Sequence, residues 1–192
     1  MDVVDLHRRT GELFRDAVRR VPAGGWAWPT PCPDWDVRAL VNHVVGEDRW
    51  SAPLMAGGTI AEVGDALDGD LLGADPIAAT DAAWAEAAGA TSAAVRGAVT
   101  VQLSYGDETA AEYAHQLAAD HLIHGWDVAA ATGADRTLPA DLVAEVAGWF
   151  AAREQLYRGA GQVAARPALP DGASAQDRLL AAFGRDPGWA PP

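Results

Sequence analysis

Apolar residues recur along most of this chain at intervals of three and four, the spacing that gathers them on one side of an α-helix. Over residues 2–21, Leu6, Leu13, Phe14, Ala17 and Val21 share a face, and Pro22, Gly24 and Gly25 stop the helix they predict. A second helix is expected from Asp34 or Asp36, either of which can cap it, to about Met55, with Val37, Leu40, Val41, Val44 and Val45 as its apolar stripe. Asp75 and Pro76 read as the N-cap and first turn of a third, Ala-rich helix that runs to near Gly97. Thr109 and Glu112 form a capping box for a fourth, which Gly133 ends. Pro139 opens a fifth that carries Leu142, Val143, Val146, Phe150 and Leu156, and Ser174 with Asp177 caps a short last helix that stops at Gly184. Residues 98–107 alternate in part and read as a short extended connection. Long helices with such connections predict an all-α fold, an up-down four-helix bundle over about residues 1–157 with a short carboxy-terminal extension over 158–192, in one domain. The glycine-rich stretch 57–75 is either a mobile cover over one end of the bundle or a plain surface excursion, and 166–170 reads as an extended strap.

Two of these helices carry metal-ligand side chains on or beside their apolar faces. Asp120 and His124 stand four residues apart, so they project from one side of the fourth helix, in line with Leu117 and Val128. His43 lies at the edge of the second helix's stripe and can look into the same interior. A buried carboxylate and two buried imidazoles are costly unless they share a partner, and one divalent cation would satisfy all three. A single histidine beside an apolar stripe is more often an ordinary core or rim residue. His121, three residues before His124, makes a His121/His124 set a geometric alternative, although it points about 100° away from Asp120, as a rim or substrate-facing residue would. Asp127 either orients a neighbouring histidine or caps the adjoining segment.

Three blocks, TPCPDWDVRALVNHVVG, DHLIHGWDVAAATG and DRLLAAFGRDPGW, resemble the actinobacterial branch of the DinB-like superfamily, which includes mycothiol-dependent maleylpyruvate isomerases and related thiol transferases. The similarity runs over essentially the whole chain, with the blocks in the expected order. It implies a DinB-like bundle whose metal triad falls on His43, Asp120 and His124, with Asp120 where relatives usually carry His or Glu. It also implies mycothiol as a thiol cosubstrate.

Composition narrows the setting. The formal charge of −13 would repel phosphate backbones and anionic membrane surfaces, so nucleic acid is not an expected partner. The start of the chain alternates polar and apolar residues rather than forming a signal sequence, and no stretch of about 18 apolar residues exists, so a cytoplasmic protein without membrane partners is expected. The single cysteine, Cys32, excludes an internal disulfide and fits a reducing compartment. With no cationic partner nearby in sequence, it is expected to pack rather than to act as a nucleophile. The eight tryptophans are many for this length and are read mainly as packing groups.

The expected function is a metal-dependent thiol transferase or thiol-assisted isomerase, in which a divalent ion, zinc before others, and mycothiol act on an electrophilic small molecule. The isomerase relatives carry a further carboxy-terminal domain where this sequence has about 35 residues after the fifth helix, which favours transfer over maleylpyruvate isomerisation. The alternatives are a DinB-like small-molecule-binding protein without thiol chemistry and a metal-dependent hydrolase, for which the sequence offers no separate general base. A homodimer is compatible with each.

Overall fold

The computed structural model describes residues 1–191. Local sequence signals start most of the long helices. Asp2 caps α1 (Val3–Arg19) by accepting from the Val4 amide at 3.0 Å. Of the two caps open to α2 (Val37–Met55), Asp36 serves, accepting from Ala39 at 2.8 Å. After the four-residue α3 (Ile60–Val63), Asp75 caps α4 (Pro76–Arg96) with Pro76 in its first turn. Thr109 caps α5 (Ala110–Thr132), which ends at Gly133 in the left-handed conformation that a residue without a Cβ adopts freely. Three shorter helices follow, α6 (Ala140–Ala151), α7 (Glu154–Gly159) and α8 (Ala175–Ala182), the last with the full Ser174/Asp177 capping box.

The four long helices carry the core. α1 packs along α5 and touches α4, while α2 packs along α4 and touches α5. Phe14 and Val18 of α1 meet Val41 and Val44 of α2, Ala83 of α4 and Val128 of α5 in one continuous cluster. Each such aliphatic side chain contributes about 1.5–3 kcal/mol of burial. A second cluster joins Leu122, Ile123 and Trp126 of α5 to α6 and to Phe183, whose ring stacks on Phe150 at 3.9 Å between centroids. Two glycines set the helix spacing. A Cβ on Gly125 of α5 would lie 2.8 Å from Leu13 Cδ2 of α1, and one on Gly11 would meet the Trp84 indole at 1.9 Å.

The all-α expectation holds for most of the chain, and residues 98–107, expected as a short extended connection, belong to a small hairpin. Thr100–Leu103 and Gly106–Thr109 pair as an antiparallel hairpin, β1 and β2, with Leu103 opposite Gly106. Val101 and Leu103 turn into a third core cluster with Leu54 and Tyr113, so the weak two-residue alternation was a true strand signal with one buried face. The chain is mostly helical with this small sheet.

The fifth predicted helix is also not continuous. Arg153 Nη1 donates to the Trp149 carbonyl at 2.7 Å while Nε donates to Glu112 at 2.6 Å, which closes α6 and turns the chain into α7. Leu156, expected inside, is 70% exposed as a result. Because Glu112 is held by Arg153 and Trp149, it does not complete the reciprocal half of the capping box at Thr109.

Residues 57–75 form a surface strap on α2. Asn42 donates to the Gly69 carbonyl and accepts from the Leu71 amide, Arg38 pairs with Asp70, and Leu72 is buried.

Candidate active site

A cleft of about 570 Å³ opens beside α2 and α5, and the carboxy-terminal segment supplies one wall of it. His43, Asp120 and His124 all line it. His43 Nε2 is 3.8 Å from Asp120 Oδ2, and the His43 and His124 rings lie edge to face with centroids 5.3 Å apart. Of the α5 face expected to be buried, Leu117, His124 and Val128 are buried, whereas the Asp120 side chain is 40% exposed at the opening and that of His43 30%. Trp35, from the turn before α2, covers His43 with ring centroids 4.7 Å apart. The imidazole of His43 is held below its ordinary pKa, chiefly by burial; Asp120 opposes this, and His124 and Arg185 add to it. Neutral imidazole is the form that ligates a metal.

His124 is fixed from behind. Its Nδ1 lies 3.0 Å from Asp127 Oδ2. Burial alone would raise the Asp127 carboxyl, but Arg185 and His124 hold it below the ordinary carboxylate value. An ionised carboxylate only accepts, so Nδ1 donates, and the lone pair of the neutral imidazole is then the one at Nε2. This is the arrangement by which a carboxylate orients a metal-binding histidine. Of the two roles open to Asp127, the structure supports the orienting one. Two imidazole nitrogens and a carboxylate oxygen on one opening are the donor types that zinc takes, although the three do not all lie within 4.8 Å of one another as they stand.

Arg185 is a residue that the sequence reading missed. From the turn after α8 it sends Nε to Asp127 Oδ1 at 3.1 Å and Nη2 to Asp127 Oδ2 at 3.0 Å, and it also reaches Cys32 Sγ at 3.0 Å. The only hint was the charge in the FGRDPGW block, which lies 58 residues from its partner. Cys32, His124 and Asp127 offer one ligand atom each within 4.8 Å of one another, but the guanidinium already supplies the cation there. Cys32 packs beside the core as expected, and its thiol is pushed up to about 12 by burial first and by Asp127 second.

Glu47 was missed as well. It stands one helical turn after His43, a spacing that could have revealed it, and it lines the same cleft. Burial, reinforced by Asp120 and Asp48, pushes its carboxyl up to about 7. A group that exchanges protons near neutrality is what a general acid or base requires.

His121 faces the other way. It is not at the rim: it is 1% exposed, with Nε2 2.9 Å from Asp48 Oδ1 and its ring 5.2 Å from that of His7. The roughly 100° offset from Asp120 turns it into the helix interface rather than the cleft. One ligand atom each from His7, Asp48 and His121 lie within 4.8 Å of one another, closer than His43, Asp120 and His124 draw together.

The family model of the mycothiol maleylpyruvate isomerase N-terminal domain matches residues 7–129, which hold all three cleft residues and Asp127. The chain belongs to this family. Two uncharacterized proteins of Mycobacterium tuberculosis, from strains CDC 1551 and H37Rv, are each 30% identical to it over 191 residues, covering 96% of this chain and 98% of theirs. No solved structure is significantly similar. The family match stops short of Arg185, so the domain named by the family and the segment that seals its site are separate stretches of sequence. Among the described residues, no helix is long and apolar enough to cross a membrane.

Proposed function

We propose that this member of the mycothiol maleylpyruvate isomerase N-terminal domain family is a cytoplasmic, metal-dependent thiol transferase. It joins a low-molecular-weight thiol, mycothiol, to an electrophilic small molecule, or uses that thiol to isomerise one. The observation that carries the reading is the hydrogen bond from His124 Nδ1 to the buried Asp127, which presents a lone pair at Nε2 on the cleft that His43 and Asp120 share. The four long helices are taken as a DinB-like up-down bundle, in which sites are built from side chains on facing helices.

His43, Asp120 and His124 would hold the ion. When bound, a divalent ion supplies a Lewis acid that brings a thiol's pKa from about 8.5 toward neutrality. The chain's own residues do the rest. Asp127 keeps His124 in one tautomer, and Trp35 limits the swing of His43. Glu47, one helical turn from His43 on the same cleft, takes the thiol proton. In transfer, a sulfur electron pair forms the new carbon–sulfur bond while the leaving group of a haloarene departs with its bonding pair or, at a conjugated enone, the alkene π pair moves to the α-carbon, which takes the proton held by Glu47. In isomerisation, sulfur adds to a conjugated alkene, the loosened bond rotates and the same sulfur is expelled.

A second reading is favoured by Glu47 alone. A carboxyl near neutrality beside a metal-ligand set also suits a hydrolase that activates water, and the separate base this reading lacked in the sequence is Glu47.

Zinc-loaded and metal-stripped protein should be compared for consumption of mycothiol with a conjugated enone and a haloarene. The transferase reading expects turnover only in the loaded protein, and loss of both zinc and turnover in His43→Ala. Equal rates with and without metal, together with no thiol binding by calorimetry, would leave a binding protein as the better account.

A further inference from the structure

A second set of ligand-type side chains meets a different face of α5, about 100° round from Asp120. His7 of α1, Asp48 of α2 and His121 of α5 are each 1% exposed, and one ligand atom from each falls within 4.8 Å of the other two. Three helices far apart in sequence thus converge on one polar point inside an otherwise apolar interface with Phe14, whose ring lies 6.0 Å from that of His121.

Its hydrogen bonding is incomplete. His121 Nε2 meets Asp48 Oδ1 at 2.9 Å, and that is the one polar side-chain contact in the group. His7 Nε2, Asp48 Oδ2 and His121 Nδ1 are buried with no partner. An unmet buried polar atom forfeits its hydrogen bonds to water without replacement, and a carboxylate is almost never fully buried unless paired. A protonated His121 would answer one oxygen of Asp48 and leave the other oxygen and His7 unserved. A cation accepts lone pairs from all three residues at once.

We propose that His7, Asp48 and His121 form a second divalent-cation site, which ties α1, α2 and α5 together. Two imidazoles and a carboxylate select a transition ion, zinc above magnesium or calcium, whose preferred donors are oxygens. Complete burial leaves no route for a substrate, so the ion is structural. Asp120 and His121 are consecutive but about 100° apart on α5, so one helix serves the cleft with the first and this site with the second. The inference does not rest on the transferase reading.

Zinc per chain should be counted in wild-type protein, in the His43→Ala/His124→Ala double variant and in His121→Leu, each expressed with zinc and desalted thoroughly. The expected counts are two, one and one. The ion of the double variant should raise its melting temperature by about 5 °C or more relative to the same variant refolded with a chelator. If wild type holds one ion that persists in the double variant, the buried site stands and the cleft assignment falls. If the double variant holds no zinc and its melting temperature ignores chelator, the proposal is overturned and the cluster is a buried ion pair. Should His121→Leu fail to fold, the double variant alone decides between these outcomes.

Discussion

Arg185 and Asp127, 58 residues apart, form a bidentate ion pair in which Nε and Nη2 both reach a carboxylate that is completely buried. This pair attaches the carboxy-terminal segment to the back of His124. Removing one partner of a buried pair strands the other charge at a cost of about 3–5 kcal/mol. Arg185→Gln should therefore lose about 3 kcal/mol in urea denaturation. A loss below about 1 kcal/mol would mean that the carboxylate is served by another donor.

Cys32 should be inert despite lining the cleft. With its thiol pushed up to about 12, mainly by burial, almost no thiolate exists at pH 8. An aromatic disulfide should label it at least about a hundredfold more slowly than free cysteine, and Cys32→Ser should keep zinc affinity and turnover. Rapid labelling of the folded protein would contradict this environment.

Glu47 sets a pH dependence in metal-free protein. Its folded value of about 7 lies above its ordinary 4.5. The protonated form is therefore favoured by folding, and the stability it brings is complete below about 4.5 and lost as pH rises through 7. Glu47→Gln should match wild type near pH 4 and exceed it by on the order of 2 to 3 kcal/mol above pH 7. Parallel stability curves across that window would show that the carboxyl is solvated.

Helix spacing gives a test independent of the site. In Gly11→Val the new side chain must displace the Trp84 indole, which a Cβ would already meet at 1.9 Å. Overpacking of this kind costs about 1–3 kcal/mol. Gly89 of α4 faces open space, so Gly89→Ala should instead gain about 0.5–1 kcal/mol. Calorimetric melting of the two variants should move in opposite directions.

Elements whose signals are local were legible in the sequence. Apolar spacing with Asp36, Asp75, Thr109, Gly133 and Ser174 located the long helices and the last short one, because caps and stripes act within a few residues. The i, i+4 spacing of Asp120 and His124 is likewise a property of one helix, and their side-by-side projection follows from it. Long-range partners were beyond such reading. Nothing local announces that Arg185 folds back onto Asp127, that Arg153 captures Glu112 and ends α6, or that Val101 and Leu103 find a core face. The orientation of His121 was half legible: helical geometry separates it from Asp120, but only the approach of α1 and α2 makes its side a buried meeting point with His7 and Asp48 rather than a rim. A sequence determines which way a side chain leaves its own helix, whereas what it meets there depends on which other helices pack against that side.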